Sequence, residues 1–278
     1  MNIFNKIIKR EINGRWFLGG SHITLVIISI LFFNLQRTAL QIGFGLLCGL
    51  LTEFIFYKLT DKYGEHQVWD RLFSAFTEVA GLLVLLKSHI WWFYGMTGAL
   101  TVAAKYLLRK TGKTHIFNPT NFAIMMSLTF LPLHWFGAWP DEFMRDWYPM
   151  LHITLFGVIA VWLGRTMTVS LAYIVGVIFF CYLFFPINDL TSLIYALGPE
   201  FGSIGLIYLW LMITDPKTAP REHKQQIVYA FAIAFLHIFL RYHQYLYSRY
   251  IALFIVTLLY YGISLYSEAA EAKAKYSF

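Results

Sequence analysis

Two short stretches pair an amide or acidic side chain with proline in otherwise apolar surroundings. They are Phe117-Asn118-Pro119-Thr120 and Thr214-Asp215-Pro216-Lys217-Thr218. Proline has no N–H and disfavours helix in the residue before it, so each pair marks a helix start or break. Asn and Asp accept bonds from the free N–H groups of a helix start. Such a start carries partial positive charge and suits an anionic or carbonyl-rich ligand. The alternative at each motif is a plain helix cap. Arg165, alone in the turn 162-WLGRTMT-168, either holds a phosphate or ring carbonyl by two parallel bonds or orients that turn.

Glu53 and Glu78 fall inside apolar runs, where ionisable groups are rare and functional or else paired. Glu78 reads as the deeper one and is the candidate proton or cation site. Glu53, one turn before Tyr57, reads as shallower and solvated. His22, His89, His152 and His237 also lie in or near apolar runs, but none forms a spaced metal pair, so no metal is expected. No catalytic triad is readable. Cys48 and Cys181 both sit in apolar runs, which argues against a disulfide.

These residues must be positioned by membrane helices. Of the 278 residues 58% are hydrophobic and only 13% charged, against about a quarter charged in a soluble domain. Mean hydropathy is +0.58. A spanning helix needs about 20 apolar residues, and ten candidates lie near 17–35, 39–57, 72–87, 89–108, 116–134, 149–164, 167–185, 199–214, 226–241 and 249–266. With both termini cytoplasmic, seventeen basic residues fall inside and five outside: Arg37, Lys87, Arg145, Arg241 and Arg249. The segment 241-RYHQYLYSRY-250, with two outside arginines, fits this pattern least. Basic residues flanking spans also account for the net charge of +7, so nucleic acid is not an expected partner. The expected fold is an all-α integral membrane protein with about ten transmembrane helices and broken helices. It divides into a cytoplasmic segment 1–16, a first five-helix repeat 17–134, an outer loop 135–148, a second repeat 149–266 and a cytoplasmic tail 267–278. An odd number of spans per half would make the repeats inverted. Gly43, Gly45 and Gly49 mark close helix packing.

The two motifs resemble those of the RnfD/NqrB family, membrane components of Rnf electron-transport complexes and of the sodium-pumping NADH:quinone oxidoreductase. Phe117-Asn118-Pro119 is similar to the family's Phe-Asn-Pro motif, and Thr214-Asp215-Pro216-Lys217-Thr218 to its Thr-Asp-Pro-x-Thr motif. Shorter stand-alone relatives, including those linked to enediyne biosynthesis, look closer still. The resemblance implies two inverted five-helix repeats of the urea-transporter kind in the plasma (inner) membrane. It also implies a membrane-held flavin and electron-transfer partner proteins. Asn118, Pro119, Thr120, Asn121, Arg165, Asp215, Pro216 and Thr218 would then be the cofactor-binding residues. Family members attach FMN through a threonine in the outer loop, but 131-LPLHWFGAWPDEFMRDWYPM-150 has no threonine. Non-covalent FMN or riboflavin is therefore the expected cofactor, and a cofactor-free small-molecule or ion transporter or channel is the rival reading.

Overall fold

The computed structural model describes residues 15–32, 37–60, 68–108, 115–137 and 147–275. Among them eleven α-helices follow one another. The first five are α1 (Arg15–Phe32), α2 (Ala39–Thr60), α3 (Val68–Leu85), α4 (Trp91–Leu107) and α5 (Pro119–Phe130). The remainder are α6 (Trp147–Gly164), α7 (Met167–Phe184), α8 (Leu190–Phe201), α9 (Ser203–Ile207), α10 (His223–Tyr242) and α11 (Ser248–Lys275). Helix α9 runs on into one π-helical stretch, Tyr208–Met212, where the Ile213 N–H donates to the Tyr208 carbonyl at 3.1 Å. A two-residue ribbon pairs β1 (Lys87–Ser88) with β2 (Phe136–Gly137).

Each of the ten expected apolar segments overlaps α-helix among the described residues, 116–134 only over Pro119–Phe130 and 199–214 across a bend. Five helices, α2, α6, α7, α10 and α11, are long and apolar enough to cross a membrane, and α8 with α9 makes a sixth if that bent pair is one span. With 12 residues, α5 is about 18 Å long, well short of a hydrocarbon layer of about 30 Å. The C-terminal tail expected from 267 is a continuation of α11, which runs to Lys275. The N-terminal residues 1–14 and residues 138–146 of the outer loop, with Arg145, lie outside the described residues.

The break in the chain's helical course falls elsewhere than the prolines suggest. Asn118 starts α5 as its N-cap with Pro119 in the first turn, and its side chain accepts the Asn121 N–H at 3.0 Å. The 46° bend lies between α8 and α9, at Gly202. Gly205 permits it, because a Cβ there would stand 2.0 Å from the Glu200 carbonyl oxygen. No side chain fits where the second helix folds back so closely on the first.

In the first half α1 packs on α3, α2 on both α3 and α4, and α4 on α5. In the second half α6 packs on α9 and its π stretch, α7 on α10, and α10 on α11. The halves meet through α1 against α6 and α5 against α11. The buried residues of α2 are Ile42, Gly45, Gly49 and Glu53, one stripe at helical spacing. That stripe touches α4 backbone to backbone: a Cβ on Gly98 would lie 2.5 Å from the Gly45 carbonyl oxygen. Gly43, expected to share this role, faces open space instead.

Candidate functional site

The glycine contact fixes where the next residues on each stripe arrive. Glu53 lies one turn beyond Gly49 on α2, and Lys105 lies two turns beyond Gly98 on α4. Their side chains meet, with Lys105 Nζ 2.8 Å from Glu53 Oε2 and 3.0 Å from Glu78 Oε2 on α3. The Tyr106 hydroxyl donates to Glu53, while Ser74 Oγ donates to Glu78 Oε1 at 3.1 Å. Phe56 stacks on the Tyr106 ring and closes the Glu53 side. Glu53, expected to be solvated, is the more enclosed of the two, its side chain 2% exposed against 18% for Glu78. Packing against α4 buries Glu53 despite its nearness to the end of α2.

With all three groups ionised, this cluster carries one excess negative charge in apolar surroundings. Removing charges from water is expensive unless each is paired. Helix α5 touches this region through Thr120, whose Oγ1 donates to the Glu78 backbone carbonyl at 3.3 Å. The first turn of α5, with its partial positive charge, therefore lies beside α3 at this point.

A second charged cluster forms in the other half, and among the described residues only Glu200 on α8 supplies its carboxylate. Arg241, in the last turn of α10, donates to Glu200 Oε1 at 2.9 Å and to the Ala196 and Tyr195 carbonyls at 2.6 and 2.9 Å. Arg249 Nη2, from the first turn of α11, stands 3.5 Å from Glu200 Oε2. His237 Nδ1 lies 3.6 Å from the same oxygen and 2.8 Å from the Tyr173 hydroxyl. Here the excess charge is positive, and the carbonyl end of α8 offsets part of it. Arg37 plays a related part in the first half. Its Nε donates to the Leu86 carbonyl at 2.6 Å and Nη2 to that of Val84 at 3.5 Å, closing the C-terminus of α3. So Arg37, Arg241 and Arg249, three of the five basic residues on the expected outer side, are engaged by helix-end carbonyls and by Glu200.

The motif residues mainly bind their own chain. Asp215 Oδ1 accepts the Lys217 N–H at 3.0 Å, and its carbonyl accepts from the N–H groups of Thr218 and Ala219, so it shapes a turn ahead of α10. Pro216 lies against Gly164, and Thr166 Oγ1 donates to the Thr214 carbonyl at 3.0 Å. Gln226 Nε2 ties the Arg165 and Pro220 carbonyls together. Arg165 itself is exposed, and it turns the chain with φ 59°. Asn121 Nδ2 donates to the Tyr250 carbonyl at 3.3 Å, whereas its buried Oδ1 has no partner among the described residues. The motif neighbourhoods meet, since His115, three residues before Asn118, reaches Asp215 Oδ2 at 3.4 Å. Burial raises the Asp215 carboxyl, but the bonds from His115 and the Lys217 N–H outweigh it and hold the group below its ordinary value.

Sequence reasoning took Lys105 as one of the seventeen inside basic residues and passed over Glu200. The signal for Lys105 was its place two turns beyond a glycine, and for Glu200 the two unexplained arginines downstream. A cleft of about 600 Å³ between α4 and α5, lined by Ala99, Ala103, Phe122 and Met126 with Thr52 and Ser127, offers no charged group. Both cysteines are free. No protein-family model matches this chain, and no curated protein matches it.

Proposed function

We propose that this chain is a multi-pass integral membrane protein of the plasma membrane that moves protons or monovalent cations by way of the Lys105 cluster. The observation that carries the reading is Lys105 held between Glu53 and Glu78, one positive charge against two negative ones. An excess charge among apolar helices is relieved by taking up a proton or a small cation, and releasing it again changes the state of the site. Glu78, the more exposed carboxylate, is where exchange occurs.

The architecture we propose is two inverted five-helix repeats, α1–α5 and α6–α11 with α8 and α9 as one broken member, and both termini cytoplasmic. Support comes from the shared packing order and from two positions. Glu78 and Glu200 are each the eleventh residue of their helices, Val68–Leu85 and Leu190–Phe201. Thr120 and Arg249 are each the second residue of theirs, Thr120 donating to the Glu78 carbonyl and Arg249 to the carbonyl of Pro199, the residue before Glu200.

The test is flux into proteoliposomes loaded in parallel with pH-, sodium- and potassium-sensitive dyes, under an imposed membrane potential and under imposed sodium and potassium gradients. Wild-type vesicles should conduct and Glu78→Gln vesicles should not. Wild-type vesicles as tight as protein-free ones to protons, sodium and potassium would defeat the proposal.

A second reading follows the motif resemblance, in which non-covalent FMN or riboflavin passes electrons to partner proteins. The unpartnered Asn121 Oδ1, close to where the two motifs meet, is the observation that favours it. Purified protein would then show flavin absorbance in the visible range that Asn121→Ala loses. A colourless preparation rejects it.

A further inference from the structure

The start of α7, the first turns of α10 and the chain leaving the π-helical stretch meet beside the Thr214-Asp215-Pro216 motif. Thr168 Oγ1 pairs with His223 Nδ1 at 2.8 Å near both helix starts, and the Phe184 ring packs on Phe239 near both ends, so α7 and α10 run parallel. Ser170 and Gln226 follow Thr168 and His223 by two and three residues and so stand at one height. Both are buried, at 0% and 1% exposure. Thr166 Oγ1, one turn before Ser170, ties α7 to the Thr214 carbonyl and thereby to the motif.

Two polar atoms in this joint, Ser170 Oγ and Gln226 Oε1, have no partner among the described residues. Turning the Gln226 amide over would not help, because the Arg165 and Pro220 carbonyls need its Nε2, at 3.1 and 2.9 Å. A helix serine often returns its hydroxyl to the carbonyl four residues back, as Ser127 does to Ala123. Ser170 does not, and the Thr166 carbonyl it would use already takes the Val169 and Ser170 N–H groups. Leaving both atoms unpaired in apolar surroundings would be costly.

We propose that an ordered internal water molecule bridges Ser170 Oγ and Gln226 Oε1 and completes the joint beside the motif. Water donates to the amide oxygen and either donates to or accepts from the hydroxyl, and buried waters serve leftover polar groups in this way. The charged groups nearby are engaged elsewhere. Asp215 is held by His115 and the Lys217 N–H, and Arg165 is exposed. Neutral oxygens without a countercharge suit water better than a bare cation, whose loss of hydration they would not offset. The site is independent of the transport reading and stands or falls by itself.

The experiment is X-ray radiolytic labelling of the detergent-purified protein in oxygen-18 water, read by mass spectrometry on residues 167–173 and 208–216. The radicals form from water in place, so a buried side chain is labelled only where water lies beside it. Val169, Met212 and Ile213, buried around the joint, are expected to be labelled in the wild type. Ser170→Val, which removes the hydroxyl and fills its surroundings, and Gln226→Met should each lower that labelling several-fold. Ser127→Val is the matched control and should leave it unchanged, because the Ser127 hydroxyl bonds its own helix. Either test variant suffices if the other does not fold. Unlabelled buried residues in the wild type, or labelling that neither variant lowers, overturns the site. Labelling that falls when sodium or potassium replaces choline assigns the joint to a cation and overturns the water.

Discussion

Glu78 and Glu200 are each the eleventh residue of a helix, α3 and α8, and their surroundings are opposite. Glu78 shares Lys105 with a second carboxylate, whereas Glu200 alone faces two arginines and a histidine. The first arrangement is short of positive charge and the second of negative charge. Both carboxylates sit beside the start of a later helix, α5 or α11. This opposition separates the consequences of altering either cluster.

Lys105→Met should be far more harmful to folding than removing the whole cluster. It strands Glu53 and Glu78 without a cation, and breaking such a buried pair costs about 3–5 kcal/mol. The triple variant Glu53→Gln, Glu78→Gln, Lys105→Met should recover most of the melting temperature and still conduct nothing. A triple variant as unstable as the single one would show that the charges themselves hold the helices together.

Gly98→Leu should separate α2 from α4, because even a Cβ would meet the Gly45 carbonyl 2.5 Å away. Overpacking of this kind costs about 1–3 kcal/mol. Melting in detergent should fall, and a cysteine pair placed across the α2–α4 contact should crosslink less. Gly43→Leu, which faces open space, is the matched control and should leave both readouts unchanged.

Arg37→Gln removes the donor that closes the last carbonyls of α3. Leaving buried acceptors unpaired costs about 1–3 kcal/mol. The loss should appear as faster amide exchange over residues 82–86 in hydrogen-exchange mass spectrometry, with other helices little changed. Uniform acceleration across the chain would contradict a local capping role.

Asp215 should make stability depend on acid. Its folded carboxyl is held below the ordinary value. The stabilisation is therefore fully present above the unfolded value of about 3.9 and is lost as pH falls through the lower folded one. The difference in melting temperature between wild type and Asp215→Asn should be constant near neutral pH and shrink below about pH 4. A difference that persists unchanged into acid would remove the charge from the explanation.

Much of the helix layout was legible along the chain. Runs from Phe17 onward are apolar at lengths that only helices can satisfy in hydrocarbon. Asn118-Pro119 marked a helix start through local chemistry, since proline at the first turn and a capping amide act within one turn of the chain. The glycines at 45 and 49 announced a close helix contact, but nothing adjacent in sequence named Gly98 as the partner.

The amino-acid sequence by itself determined the helices, their apolar lengths and the cap at Asn118, because these depend on the bonding and solvation of neighbouring residues. The tertiary structure alone decided which charges meet. Lys105 reads as one more basic residue at the end of an apolar run until α2, α3 and α4 pack and place it between Glu53 and Glu78. Arg241 and Arg249 look misplaced until the bend at Gly202 turns Glu200 and the carbonyl end of α8 toward them. Ion pairing in an apolar interior is set by distances between residues far apart in the chain, and those distances exist only after packing.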